Sequence, residues 1–425
     1  MNRILLSIFL ISFFPACLLA QDTGGEKPKK DLDWLQAYIA DSLDNKEELL
    51  THLENLPNIE VGKGITFRPK NNMYEMTLRF RMQNMVGLSF GDNFKLAGTD
   101  AQVKRLRLRF DGYIFSPKVL YSIQLGFSGY DAAVLPNGNM NIIRDAIVYY
   151  RHNAAWNIGF GQTKIKANRA RVNSSSALQF VDRSIVNSEF NVDRDFGLFG
   201  EYNYGSFDKF ALSAKASVTL GNGRNWNSSG IAGFAYTGRL ELYPFGRFHG
   251  NGELMEGDVA YEEKVKMVIA GAYHFNDNAQ RLQGTKGSIM PDGQSKDLNS
   301  YFVDFILKYR GFATCIDYMG RYVADPFFKE NGDFVFTGSG LNVQASYLFD
   351  GKWEIAARNS TIFTDSRLYG IADYKRWNQT TLGVTRYLIG HSLKIQFDIS
   401  YNYFLAPLDP DYDRWMMRFQ VELGL

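Results

Sequence analysis

Arginines at 105, 107 and 109 alternate with Leu106, Leu108 and Phe110, and this short run concentrates more charge than its neighbours. A guanidinium is a planar fork of donors that meets the paired oxygens of a phosphate or a carboxylate. Arginine at every second position suits a strand, which sends successive side chains to opposite faces. One face then holds three permanent cations and the other is wholly apolar. The preceding segment repeats the pattern: Thr77, Arg79, Arg81 and Gln83 oppose Leu78, Phe80 and Met82. If the two strands pair, Arg79, Arg81, Arg105, Arg107 and Arg109 share one wall. A soluble sheet seldom hides an apolar face behind a bare row of arginines. Lipid outside and a charged aqueous lumen inside account for both faces.

The elements that must position these residues are strands. The chain has 425 residues, of which 15% are aromatic, yet only 11 are proline, which suits long uninterrupted strands. Beyond the first twenty residues no apolar run is long enough for a transmembrane helix. A membrane crossing then requires a closed barrel, because lipid satisfies no open sheet edge. Period-2 alternation predicts sixteen strands: 74–89, 101–115, 118–129, 141–152, 154–163, 194–204, 207–220, 231–245, 258–275, 299–311, 312–323, 334–349, 352–364, 375–389, 391–405 and 413–425. Sixteen is even, as a barrel with both termini on one side requires. Short connections such as Ser116-Pro117, Gly205-Ser206, Asp350-Gly351 and Gly390 alternate with long ones such as 130–140, 164–193 and 276–298. The connection 246–257 breaks the rule, being long on the short-turn side. The predicted fold class is all-β: a sixteen-stranded antiparallel transmembrane barrel with a short N-terminal helical periplasmic segment.

The N-terminus reads as a cleavable secretory signal over 1–20: Asn2-Arg3, an apolar stretch Ile4–Phe14, then Leu18-Leu19-Ala20 before Gln21. Cys17 leaves a lipoprotein alternative, although Phe14-Pro15-Ala16-Cys17 is a poor lipidation box. Residues 21–58 form a periplasmic leader with helical spacing over 31–56, and 59–425 form the barrel. Nine Asp/Glu and four Lys give residues 21–58 a net of −5, while the whole chain is +2, so the excess positive charge lies in the barrel. There it would bias the field of a pore. After cleavage Cys315 stands alone and forms no internal disulfide.

By strand phase the inward cations are Arg79, Arg81, Arg105, Arg107, Arg109, Arg151, Lys308, Arg310, Arg321, Arg358, Lys394, Arg414 and Arg418. The inward acids, Asp111, Asp145, Asp304, Asp317, Glu354, Asp398 and Glu422, are fewer. Either these groups guide an anion or they stiffen the wall by pairing. Loop 164–193 carries Lys164, Lys166, Arg169, Arg171 and Arg183 beside apolar Ala177-Leu178, Phe180 and Val181. Those apolar residues argue for insertion into the lumen, which makes the loop the expected constriction. The expected pathway residues are Arg79, Arg81, Arg105, Arg107, Arg109, Lys164, Arg169 and Arg171. The five histidines are dispersed without ligand spacing, and no nucleophile–base arrangement stands out, so no catalytic residue, metal or cofactor is expected.

Several runs resemble the phosphate-selective porin O and P family of outer-membrane channels. They are Arg-Leu-Arg-Leu-Arg-Phe-Asp-Gly ending at Gly112, Arg144-Asp145-Ala146-Ile147-Val148-Tyr149-Tyr150, Gly161-Gln162-Thr163-Lys164, Leu178-Gln179-Phe180-Val181-Asp182-Arg183-Ser184 and Arg194-Asp195-Phe196-Gly197. The resemblance spans most of 60–425. It implies a sixteen-stranded barrel, often a homotrimer, whose founding members pass anions such as phosphate through an arginine-lined lumen. The expected partners are therefore small anionic solutes and outer-membrane lipid of a Gram-negative bacterium, with no nucleic acid. A non-conducting scaffold or adhesin barrel that displays long loops is the alternative.

Overall fold

The structure, a computed structural model, describes residues 57–91, 94–131, 133–134, 140–225, 232–328, 333–350, 352–408 and 414–425. The signal segment and the 31–56 helical spacing lie outside the described residues.

Sixteen strands form the barrel. They are β1 (Tyr74–Phe90), β2 (Leu96–Ile114), β3 (Ser116–Gly126), β4 (Ile143–Arg151), β5 (Trp156–Lys164), β6 (Arg194–Tyr204), β7 (Ala211–Thr219) and β8 (Ala235–Tyr243). Then come β9 (Lys266–Ala279), β10 (Lys296–Tyr309), β11 (Phe312–Tyr322), β12 (Gly338–Phe349), β13 (Trp353–Thr364), β14 (Arg376–Ile389), β15 (Leu393–Leu405) and β16 (Trp415–Gly424). Each pairs antiparallel with the next, and β16 closes on β1 from Trp415↔Phe90 to Gly424↔Arg81. The strands coincide with the predicted ones to within a few residues, except that β9 starts later, at Lys266. Where β1 extends past the end of β16 its edge is covered by a short hairpin, Asn58–Glu60 and Gly64–Phe67, with Ile65 opposite Leu78. The hairpin thereby satisfies backbone groups that would otherwise end unpaired.

The wall inverts the usual rule of burial. In β13, Trp353, Ile355, Ala357 and Phe363 are exposed on the outside, while Glu354, Arg358 and Ser360 are buried inside. Aromatic rings gather at both rims. Trp156 sits against Tyr202 at 4.8 Å near the short-turn end, and Trp415 lies 4.8 Å from Tyr401 near the other. Such girdles mark the two membrane interfaces.

Strict alternation fails at several points. A bulge opposite Gln83/Asn84 inserts one residue into β2, so Lys104 and Arg105 both point inward. Arg310, expected on the lumen face, instead sits exposed in the β10–β11 turn with a φ of 45°. Arg151 is exposed at the end of β4 rather than enclosed. Cys315 is buried, with its thiol 3.7 Å from the Glu256 carbonyl.

Candidate ion pathway in the barrel lumen

The register of β1 and β2 stacks the arginines in rungs: Arg79 opposite Arg109, Arg81 opposite Arg107, Gln83 opposite Arg105. Like charges directly opposite one another destabilise a sheet unless something compensates them. Asp111 takes the first rung, pairing with Arg79 and, at 2.7 Å, with Arg109. Asp131, from the β3–β4 loop, takes Arg107 through two hydrogen bonds, that from Nη2 being 2.6 Å, and is shared with Arg144 at 2.8 Å. Burial alone would push the Asp131 carboxyl up. The hydrogen bond and charge of Arg107, with Arg144 beside it, outweigh that and hold it at about 2. Glu422 lies 3.5 Å from Arg81 and is shared with Lys394. Arg105 donates to Gln83 at 2.6 Å and contacts no carboxylate among the described residues. Asp111 lies beside the cluster in sequence, whereas Asp131 and Glu422 reach it from distant parts of the chain, beyond any local pattern.

Exposure falls along the rungs. Arg79 and Arg109 side chains are 42% and 47% exposed, Arg81 21%, Arg107 10% and Lys104 1%. The cationic row thus begins in water near the short-turn end of the barrel and ends buried against the β5–β6 loop.

That loop, 165–193, crosses the lumen. It contains helix α1 (Arg169–Val172) and helix α2 (Ile185–Phe190), the latter capped by the Ser184 hydroxyl, which accepts from the Asn187 amide at 3.1 Å. On one side Ser174 and Ser175 accept from Arg81 at 2.9 and 3.1 Å, and Ser175 accepts from Arg107 at 3.0 Å. On the other side Ile165, Ala167, Val186 and Phe190 pack on inward-facing Phe302, Met319 and Ile362. The lumen wall is locally apolar there, and burial of that patch fastens the loop.

The remaining expected pathway residues hold the loop, Arg169 buried and Lys164 and Arg171 partly exposed. Arg169 donates to Asp304 at 2.6 Å and to Glu241 at 3.0 Å, and Arg239 joins both carboxylates. Arg171 pairs with Asp193, and Lys164 donates to the carbonyls of Val172 and Asn173. Lys394, Arg358 and Arg321 donate to the loop carbonyls of Leu178, Asp182 and Glu189. A chain threaded through a barrel has no sheet partner for its carbonyls, and these wall cations supply the missing donors.

The irregular connection 244–265 also turns inward. Its Glu256 amide donates to the Ala177 carbonyl at 3.1 Å, and the Glu256 carboxylate accepts from the Gln179 amide at 3.0 Å. Lys308 ties it to the wall through the carbonyls of Gly252 and Gly257. Its length, which breaks the alternation in sequence, is what lets it meet the loop inside the barrel. Lys104, Asp131, Arg239, Glu241 and Ser174-Ser175 do not stand out in sequence as pathway residues. Strand phase would have found Arg239 and Glu241, whereas the bulge hides Lys104.

The family model described as phosphate-selective porin O and P matches residues 76–406, more than half of the chain. No curated protein sequence matches it. Among solved structures, the anion-selective porin from Comamonas acidovorans is similar at a TM-score of 0.52 and 9% identity, covering 83% of this chain and 100% of that one. The outer membrane channel DcaP of Acinetobacter baumannii is similar at 0.51 and 13% identity, covering 85% and 100%. A loop L8 deletion mutant of OmpT from Vibrio cholerae is similar at 0.51 and 11% identity, covering 83% and 100%. At such identities the likeness speaks for the fold.

Proposed function

This chain belongs to the phosphate-selective porin O and P family, a passive outer-membrane channel by that membership, and from this premise we propose that it prefers small anions such as phosphate. The observation that carries the preference is the pair of like-charged rungs, Arg79/Arg109 and Arg81/Arg107, continued by Arg105. Stacked like charges in one wall oppose folding unless partners compensate them, and here the compensation is incomplete. Asp111, Asp131 and Glu422 are outnumbered by the five arginines, and two of these acids are shared with Arg144 and Lys394. Several weak sites in series let an ion enter without being trapped. Arg79, Arg81, Arg105, Arg107 and Arg109 make the path. Loop 165–193 sets its constriction, with Lys164, Arg169 and Arg171 holding that loop in place. Lipid on the outer face, assembly as a homotrimer and export by the signal over 1–20 belong to the same reading.

The test is reconstitution in a planar bilayer under a potassium chloride gradient. The expected result is single-channel conductance with a reversal potential of the sign for chloride preference. The filling of the lumen by two inward segments favours a second reading, a scaffold barrel that displays its loops, and that reading predicts no channel events.

A further inference from the structure

Beyond the rungs, the buried end of the cationic row closes around a single loop carboxylate. Asp182 follows Val181, which is fully buried and pinned by its amide to Asp398 at 3.0 Å. The Asp182 Oδ2 atom ion-pairs with Lys104 and lies 3.2 Å from Arg418 Nη1. Its backbone carbonyl accepts from Arg358 Nη1 at 2.8 Å. Arg358 is 3% exposed and stacks 4.4 Å over the Phe180 ring, yet its Nε and Nη2 have no hydrogen-bond partner. Arg105 shares the Tyr130 ring with Lys104, at 5.2 and 5.7 Å, and its Nε is also without a partner.

Buried guanidinium donors left unmatched are costly. Lys104, Arg105, Arg358 and Arg418 surround Asp182 and Asp398, and the charges of Arg183 and Glu256 also bear on this cluster. Asp398 is committed to Arg418 by bonds of 2.7 and 2.9 Å and to the Val181 amide. Asp182 is different, because its side chain remains 30% exposed in an otherwise buried cage. Water therefore reaches the carboxylate that the cations hold. The cage also offers donors that one carboxylate does not use.

We infer that the Asp182 carboxylate is a tethered occupant of an oxyanion site built by Lys104, Arg105, Arg358 and Arg418, and that a free phosphate or carboxylate binds there by displacing it. The inference rests on the anion-preferring reading and adds an internal competitor to it. An incoming oxyanion exchanges one charged partner for another, so the cations are never left bare and the ion is never held at full strength. The loop carboxylate thereby sets how tightly the pore holds its solute.

Asp182→Asn keeps the shape, an acceptor oxygen and the backbone carbonyl but removes the competing charge. Wild type and variant, each shown folded by heat-modifiable migration, are compared in planar bilayers. The current carried by potassium chloride is titrated with inorganic phosphate and, separately, with acetate. Weakening the competitor by one charge-assisted hydrogen bond implies a half-blocking phosphate concentration about tenfold lower in the variant. Acetate should shift in the same direction but less, and an acetate shift larger than the phosphate one would assign the site to carboxylates. Arg358→Gln, which keeps the loop sequence intact, should weaken phosphate block several-fold, and it decides the matter should Asp182→Asn fail to fold. An anion-preferring pore whose phosphate block is unchanged by these substitutions overturns this inference alone. A wild-type pore that prefers cations, or does not conduct, overturns the functional reading beneath it.

Discussion

Two groups of arginines face the same lumen and live under different rules. On β1 and β2, Arg79, Arg81, Arg105, Arg107 and Arg109 form like-charged rungs whose outer members reach water. Across the barrel, Arg169 and Arg239 grip Asp304 and Glu241, and Lys215 also donates to Glu241, at 2.8 Å. That second group is almost wholly buried, and each of its members has close partners of opposite sign. The difference teaches that arginine in a pore is not by itself a sign of permeation. Charge balance and water access decide: an outnumbered, graded row produces a field, whereas a matched, dry knot produces rigidity.

The sharpest way to break the comparison is to remove the segment that bridges both walls. Deleting residues 170–182 frees Arg81 and Arg107 from Ser174 and Ser175 and removes Gln179, which bonds Glu354 and Glu256. Single-channel conductance of the folded variant should rise several-fold. Unchanged conductance would place the loop outside the path.

The next test swaps one arginine from each group. Arg169→Met leaves Asp304 and Glu241 with one fewer partner in a dry site, and should lower stability by about 3–5 kcal/mol in urea unfolding followed by tryptophan fluorescence. Arg109→Met, at a side chain 47% exposed, should lower it by less than about 1 kcal/mol. Equal losses would erase the distinction between the two walls.

Acid sharpens the contrast more gently. The loop carboxyls Asp131 and Asp182 are each held at about 2 by neighbouring cations that outweigh burial. A depressed acid adds stability above its unfolded value of about 4 and loses it as pH falls through its folded value. Chloride preference should therefore be flat with respect to these two groups above about pH 4. It should increase as pH falls from about 4 to about 2 and the carboxylates that offset the row become neutral. A preference that declines over that interval would mean these acids are not what limits it.

Much of the barrel was legible because its physics is local. Lipid on one side and water on the other impose a period of two, and Ile395, Phe397 and Ile399 against Gln396, Asp398 and Ser400 display it without ambiguity. The insertion of loop 165–193 was legible from Phe180 and Val181, which are fully buried. The partners were not. Arg169 meets Asp304 across 135 residues of sequence, and nothing near Arg169 announces that pairing. Lys104 was hidden because a bulge suspends alternation at the residue where it matters. Arg310 follows the strand phase in sequence, but the turn at Gly311 removes it from the wall.

The central claim is that the β1–β2 row, and not arginine content in general, sets ion preference. Arg105→Gln, Arg107→Gln and Arg109→Gln together remove three charges while keeping polarity and approximate length. Reversal potentials of wild type and the triple variant, measured across a potassium chloride gradient, test the claim directly. At 0.1 M salt the screening length is about 10 Å, so the effect should be largest below that concentration. The account predicts that the triple variant moves towards no preference, most clearly at low salt. Full chloride preference retained by the triple variant, or cation preference in the wild type, would contradict it.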